Sequence, residues 1–310
     1  MLKLCKLVLI ISSMLLMSAQ MDGQNVGIGA NTFTPDNSAL LEIRGTKGLL
    51  IPRMTTAQRD SMTLSSTPAQ SLLIFNTTTK CYEGYVDGQW NQLWCSFTCG
   101  TSTVTYDGVT YNTVQIGDQC WLKENLRTTK YNDGTSITNV TDNATWTSTT
   151  SGAYCCYDNN PSNCDTYGAL YNWYAVNTGK LCPSGWHVPS DGEWKTLEMY
   201  LGMTQAQADA TGWRGTDQGA KLAGNASLWI DGALEQNANF GTSGFSALPG
   251  GNRSYSDGSF NILGKYGDWW SSTETDGSNA WNRNLSYTNA NVFRYNYNKS
   301  YGFSVRCLRD

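Results

Sequence analysis

The chain carries a single histidine in 310 residues, which sets the first limit on its chemistry. His187 stands between Trp186 and Val188 in an alternating stretch, the setting of a packed or surface side chain. A Ser–His–Asp relay would depend on it alone, and no Gly-x-Ser-x-Gly elbow presents a serine. Phosphate-cradling loops are absent too: no Gly-x-Gly-x-x-Gly opens a helix and no Gly-Lys-Ser/Thr occurs. Asp268, Glu274 and Asp276 are close enough in sequence to suggest the paired acids of a glycoside hydrolase, but loop acids more often hold turns or calcium. The abundant chemistry is that of recognition. Trp213, Trp229, Tyr255, Trp269, Trp281, Tyr287, Tyr295 and Tyr297 are spread among Asn, Ser and Gly, and aromatic rings beside short polar side chains are what binding loops use. These eight are the candidate ligand-binding residues, whereas Trp186, Trp194 and Trp270 are assigned to the core. No catalytic residue and no metal ligand set is expected; structural calcium through Asp257, Asp268 or Asp276 is the weaker alternative.

Such loops need a frame. Ser190 followed by Glu193 has capping-box spacing, and Trp194, Leu197 and Leu201 then form one apolar stripe ended by Gly202. Upstream, Leu181 to Val188 reads as a half-buried strand; Phe303 and Val305 alternate with polar residues in a second strand near residue 310. Cys182 and Cys307 bracket the pair, and a disulfide between them would contribute about 4–5 kcal/mol on the chain-entropy view. Between the helix and the last strand the chain is rich in Gly, Asn, Ser and Thr. Asp-Gly turns stand at 231, 257 and 276, and strands are expected at Phe245–Leu248, Trp269–Ser272, Trp281–Ser286, Val292–Tyr297 and Gly302–Leu308. Gly168–Val176 is a short helix candidate, and Tyr131–Thr150 reads as a long surface loop.

Residues 1–19 read as a secretory signal peptide: Lys3 and Lys6 precede an apolar run to Met17, with Ser18-Ala19 as the cleavage point. Removing Lys3, Lys6 and Cys5 leaves 19 basic and 25 acidic residues, net −6, and nine cysteines. That mild acidity argues against nucleic acid or an anionic membrane surface as partner, and the signal's apolar run is too short to span a bilayer. No membrane insertion is expected once it is removed. With charged residues at only 15%, the surface relies on neutral polar groups, as extracellular chains do. The cysteines contain no Cys-x-x-Cys pair and read as disulfides, one thiol being left over. Cys99 with Cys120 is the simplest pairing in its region. Cys81 and Cys95 would close a hairpin around Asp87-Gly88, and Cys156 or its neighbour Cys155 can reach Cys164.

Three segments together carry a resemblance: Cys182-Pro-Ser-Gly-Trp-His-Val-Pro-Ser-Asp-Gly-Glu-Trp194, Asp268-Trp-Trp-Ser-Ser-Thr-Glu274 and Gly302-Phe-Ser-Val-Arg-Cys307. With Val114–Leu126 and Tyr167–Trp173 in agreement, residues 99–310 resemble the Fibrobacter succinogenes major paralogous domain family of surface-associated and secreted bacterial proteins. The order strand, helix, strand, Gly-Phe-x-x-Arg is also similar to C-type-lectin-like and formylglycine-generating-enzyme folds. That likeness implies an α+β domain of short strands, one or two helices and long loops. Two departures bear on activity. No cysteine lies between Gly212 and Phe303, where the oxidase likeness would require a reactive pair. Trp281-Asn282-Arg283 places a cation where lectin-type calcium binding needs an acid. Residues 20–98, with short alternating strands, resemble fibre or adhesin modules of secreted Bacteroidetes proteins and segments of phage tail fibres. Such a thin core is expected to lean on a neighbour or on copies of itself, as in a homotrimer; the alternative is a flexible β-rich stalk with no assembly role.

The sequence thus describes three parts: the signal peptide at 1–19, a β-rich stalk or assembly module at 20–98, and a disulfide-braced domain at 99–310. The expected role is a secreted or outer-surface, non-enzymatic binding or adhesion protein, without cofactor, whose ligand is an extracellular glycan or protein. The alternatives are an extracellular glycan-acting enzyme, which predicts two converging carboxylates in a pocket, and a structural fibre subunit.

Overall fold

The structure, a computed structural model, describes residues 26–29, 41–44, 49–65 and 67–310; the signal peptide expected at 1–19 lies outside the described residues. The chain divides between Ser96 and Phe97 into two compact units.

In the first unit β1 (Val26–Gly29) and β2 (Leu41–Arg44) pair in parallel. Next come β3 (Arg53–Met54), helix α1 (Thr56–Ser65), β4 (Leu72–Asn76), β5 (Cys81–Val86) and β6 (Gln89–Cys95), whose strands form one sheet in the order β3-β4-β5-β6. Asp87 and Gly88 both have positive φ, the requirement of a tight hairpin turn, and Cys81 lies opposite Cys95 in register. Alternation splits the sheet. Ile74, Cys81, Glu83 and Tyr85 are buried on one face, where Arg59 of α1 meets Glu83 at 2.8 Å. Leu73, Tyr82, Leu93 and Trp94 are exposed on the other, Tyr82 stacking on Trp94 at 5.8 Å between ring centres.

The second unit is α+β. It opens with a hairpin of β7 (Val104–Tyr106) and β8 (Val109–Tyr111), followed by β9 (Thr113–Ile116) and β10 (Gln119–Leu122). The polar stretch read as a surface loop contains β11 (Thr138–Asn139) and helix α2 (Asn143–Ser148), because Asp142 caps the helix and Trp146 is buried as its anchor. β12 (Ala153–Cys155) and α3 (Pro161–Tyr167) come next. The helix expected at 168–176 is split: Leu170–Tyr171 forms β13, and Asn172 caps a short α4 (Trp173–Val176). Tertiary pairing wins here, since Tyr171 exchanges backbone hydrogen bonds with Phe303.

β14 (Trp186–His187) leads into α5 (Asp191–Tyr200), which has the full capping box of Ser190 and Glu193. After α6 (Gln205–Asp209), β15 (Gly212–Arg214) and α7 (Gln218–Leu222) the chain forms β16 (Asn252–Arg253), β17 (Phe260–Asn261), β18 (Tyr266–Glu274), β19 (Asn279–Ser286), β20 (Val292–Asn298) and β21 (Leu308–Arg309). One four-stranded sheet runs β14-β21-β10-β9 and another β15-β20-β19-β18. The strand expected at Phe245–Leu248 is reduced to an isolated bridge at Ala247, and that expected at Gly302–Leu308 to isolated bridges at 302–304 followed by β21. Gly302, Phe303 and Ser304 each pair with a different element, at Arg253, Tyr171 and Trp269. Arg306 holds this irregular run from within: fully buried, it donates to the carbonyls of Leu122, Lys123, Phe245 and Ser246 and to Asn125 Oδ1. Burial lowers its pKa to about 9, the charge of Glu124 offsetting this only in part. Trp186, Trp194 and Trp270 are all core residues.

Candidate ligand-binding cleft

The sheet β15-β20-β19-β18 organises the site through its two-residue period. Asp268 pairs with Asn284, Trp270 with Asn282, and Trp213 with Phe293, so these side chains share one face with Tyr295 and Tyr297. The intervening residues, Trp269, Trp281, Arg283 and Arg294, point to the other face, toward α5.

On the first face lies a cleft of about 500 Å³. Its walls include Trp213, Phe293, Tyr297, Tyr301 and Phe303; Asn252, Asn284 and Ser254 add polar groups, and Asp268 is also part of the lining. Asp268 is 2% exposed. Its Oδ1 accepts from Asn284 Nδ2 at 2.8 Å and Asn282 Nδ2 at 3.2 Å, and its Oδ2 from Asn252 Nδ2 at 3.1 Å. Burial raises the carboxyl above its ordinary value, the three amides only partly offsetting this. Burial, reinforced by the charge of Asp268, likewise raises the Tyr297 and Tyr301 phenols.

The eight candidate aromatics separate. Trp213, 39% exposed, and half-buried Tyr297 line the cleft. Tyr295 is exposed on the same face, stacked on Phe293 at 5.9 Å, and exposed Tyr255 packs on Tyr301 at 4.9 Å. Of the other four, Trp269 and Trp229 are corrections, whereas Trp281 and Tyr287 are half-buried outside the cleft lining. Trp269 is buried and donates its indole N–H to Asn125 Oδ1, and Trp229 is buried with its indole N–H on the Gly224 carbonyl. Trp281 lies on the α5 side with the Arg294 guanidinium 3.5 Å from its ring centre, and Tyr287 packs against the core that contains Trp121, Trp194 and Leu285. The sequence reading missed Phe293, Tyr301, Phe303, Asn252 and Asn284. Phe293 could have been found, for it continues the period of Tyr295 and Tyr297; the rest are gathered by tertiary packing.

The acids that might have acted in pairs are dispersed in role. Glu274, at the end of β18, pairs with Lys299, while Asp276 accepts from the backbone N–H groups of Ser278 and Asn279. Asp257 holds its own turn through Ser259. Asp268 is the one carboxylate among the described residues lining the cleft, and no group of three or more His, Cys, Asp or Glu side chains among them could hold a metal ion. Arg283, read from sequence as displacing a calcium ligand, points away to Asp191 and Glu198. His187 bridges two carboxylates, Nδ1 with Asp310 Oδ1 at 2.5 Å and Nε2 with Glu193 Oε1 at 2.9 Å. Chiefly the Glu193 hydrogen bond, with that of Asp310, raises its pKa to about 9.

Cys99–Cys120, Cys156–Cys164 and Cys182–Cys307 are disulfides, and among the described residues Cys155 is a free thiol, buried. β14 pairs antiparallel with β21, so the Cys182–Cys307 bridge staples strands already adjacent.

Residues 114–309 match the family model described as the Fibrobacter succinogenes major domain, and residues 27–173 match that described as a phage tail like trimerisation region. No curated protein and no solved structure matches the chain.

Proposed function

The chain belongs to the Fibrobacter succinogenes major domain family, and from that premise we propose that it is an exported, non-enzymatic binding or adhesion protein, with residues 20–98 serving as a trimeric stalk and residues 99–310 as the ligand-binding head. The cleft carries this reading. Exposed and half-buried rings beside amide side chains suit a glycan or an extracellular protein, since rings stack on sugar faces or apolar side chains while amides donate and accept. A single lining carboxylate favours binding over the two-acid hydrolase alternative. The disulfides among the described residues favour an oxidising compartment, secreted or at the outer surface. We assign the head a C-type-lectin-like architecture, supported by the adjacency of β14 and β21 and the long loop region between them.

For the stalk, the support is the trimerisation-region match together with the sheet face of Leu73, Tyr82, Leu93 and Trp94, which one helix on the opposite side leaves uncovered. Copies of the chain would cover it. Two measurements test the whole. Glycan and matrix-protein arrays probed with the chain should yield binders that Trp213→Ala weakens; no binder at all would leave a scaffold. Sedimentation equilibrium should give a trimer that Leu93→Glu dissociates, and a wild-type monomer would remove the stalk.

A further inference from the structure

Four carboxylates are buried among the described residues: Glu83, Asp191, Glu198 and Asp268. Three of them meet guanidinium groups. Glu83 pairs with Arg59 at 2.8 Å, Asp191 with Arg283 at 2.9 Å and Arg294 at 2.7 Å, and Glu198 with Arg214 at 2.9 Å and Arg283 at 2.7 Å. Asp268 makes no ion pair with a described residue; its bonded neighbours are three neutral amides. It also lines the cleft.

A buried carboxylate without a cation is costly, and proteins pair or neutralise such charges. The three amides occupy three of about four acceptor positions, leaving one on Oδ2. Tyr266, Tyr297, Tyr301 and Phe303 line the same cleft, and ring faces attract cations. Resting on the reading of the cleft as a binding site, we propose that it takes an organic ammonium group, seated on Asp268 and walled by these rings. A metal ion is the poorer occupant, because the amides turn their N–H groups rather than their oxygens toward the carboxylate. A neutral sugar hydroxyl could fill the last acceptor position but would leave the charge uncompensated.

The test is calorimetry on the full chain at constant ionic strength. The probes are Nα-acetyl-lysine amide and glucosamine, each against its neutral N-acetylated form. At least one ammonium form should bind about tenfold or more tighter than its neutral counterpart, the value expected of a desolvated charge pair with cation–π support. Which of the two binds distinguishes a protein side chain from an amino sugar as the source. Asp268→Asn should abolish the preference; because that variant could misfold, the charged-against-neutral comparison on the unmutated chain stands by itself. Equal or tighter binding of the neutral forms, retention of the preference in Asp268→Asn, or no binding of either ammonium at roughly 10 mM would overturn the assignment. Neutral probes that bind and are weakened by Trp213→Ala would sink the ammonium inference while leaving the binding role of the cleft intact.

Discussion

The two faces of the β15-β20-β19-β18 sheet solve the burial of charge in opposite ways. Toward α5, Arg214, Arg283 and Arg294 interlock with Asp191 and Glu198, so every buried charge meets an opposite one. On the cleft face, one residue along β19 in either direction, Asn282 and Asn284 offer Asp268 dipoles in place of charges. The first face is closed and its interactions are internal; the second opens to solvent with one carboxylate left incompletely served. At equal depth of burial the carboxylates on one side are answered by cations and the one on the other by amides. What separates them is the identity of the partner.

Removing one negative charge from each face breaks the comparison most sharply. Glu198→Ala strands Arg214 and Arg283 without their shared carboxylate and should lower stability by about 3–5 kcal/mol in urea denaturation. A loss under about 1 kcal/mol would show the network to be ornamental. Asp268→Asn, by contrast, keeps the shape, retains an oxygen for Asn282 and Asn284, meets the oxygen of Asn252 once that amide turns over, and removes an unpaired charge. Its stability should stay within about 1 kcal/mol of wild type. A loss as large as that of Glu198→Ala would make Asp268 a structural residue.

Acid sharpens the contrast, because the two aspartates shift in opposite directions. Burial alone would raise Asp191, but hydrogen bonds and charge from Arg294 and Arg283 more than offset it and hold the carboxyl well below its ordinary 3.8. Its contribution is complete above 3.8 and fades as pH falls below it, so the gap between wild type and Asp191→Asn should narrow on acidification. Asp268 is raised, so its protonation on the way down to 3.8 favours the fold. Wild type should therefore gain on Asp268→Asn over the same titration. Parallel slopes for the two variants would show that the faces do not differ electrostatically.

The smallest effect belongs to the cleft mouth. Trp213 is 39% exposed and rests on Phe293 at 5.0 Å, so Trp213→Ala should change thermal stability by no more than about 1 kcal/mol while weakening ligand binding several-fold. A large drop in melting temperature would place this ring in the core instead.

Much of the frame could be read from residue order. The capping box of α5 depends on side chains three apart, and its Ser190–Glu193 pair forms as the spacing predicts. Asp87-Gly88 turns its hairpin because the dipeptide tolerates positive φ. The family motifs of the head are contiguous as well. What stayed illegible depended on which face another element covers. Alternation shows that Asn282 and Arg283 point in opposite directions, but it does not say which of them meets α5.

Only the folded chain brings Asn252 to Asp268, sixteen residues away, and sets Tyr301 and Phe303 from an irregular run against β20. Only there do Trp229 and Trp269 find buried acceptors for their indole N–H groups, which removes them from the surface. Local interactions fix helix ends, turns and strand period, so the sequence by itself determined those. Whether a charge or a ring is answered by the protein or left for a ligand depends on groups distant along the chain, and packing alone decided that.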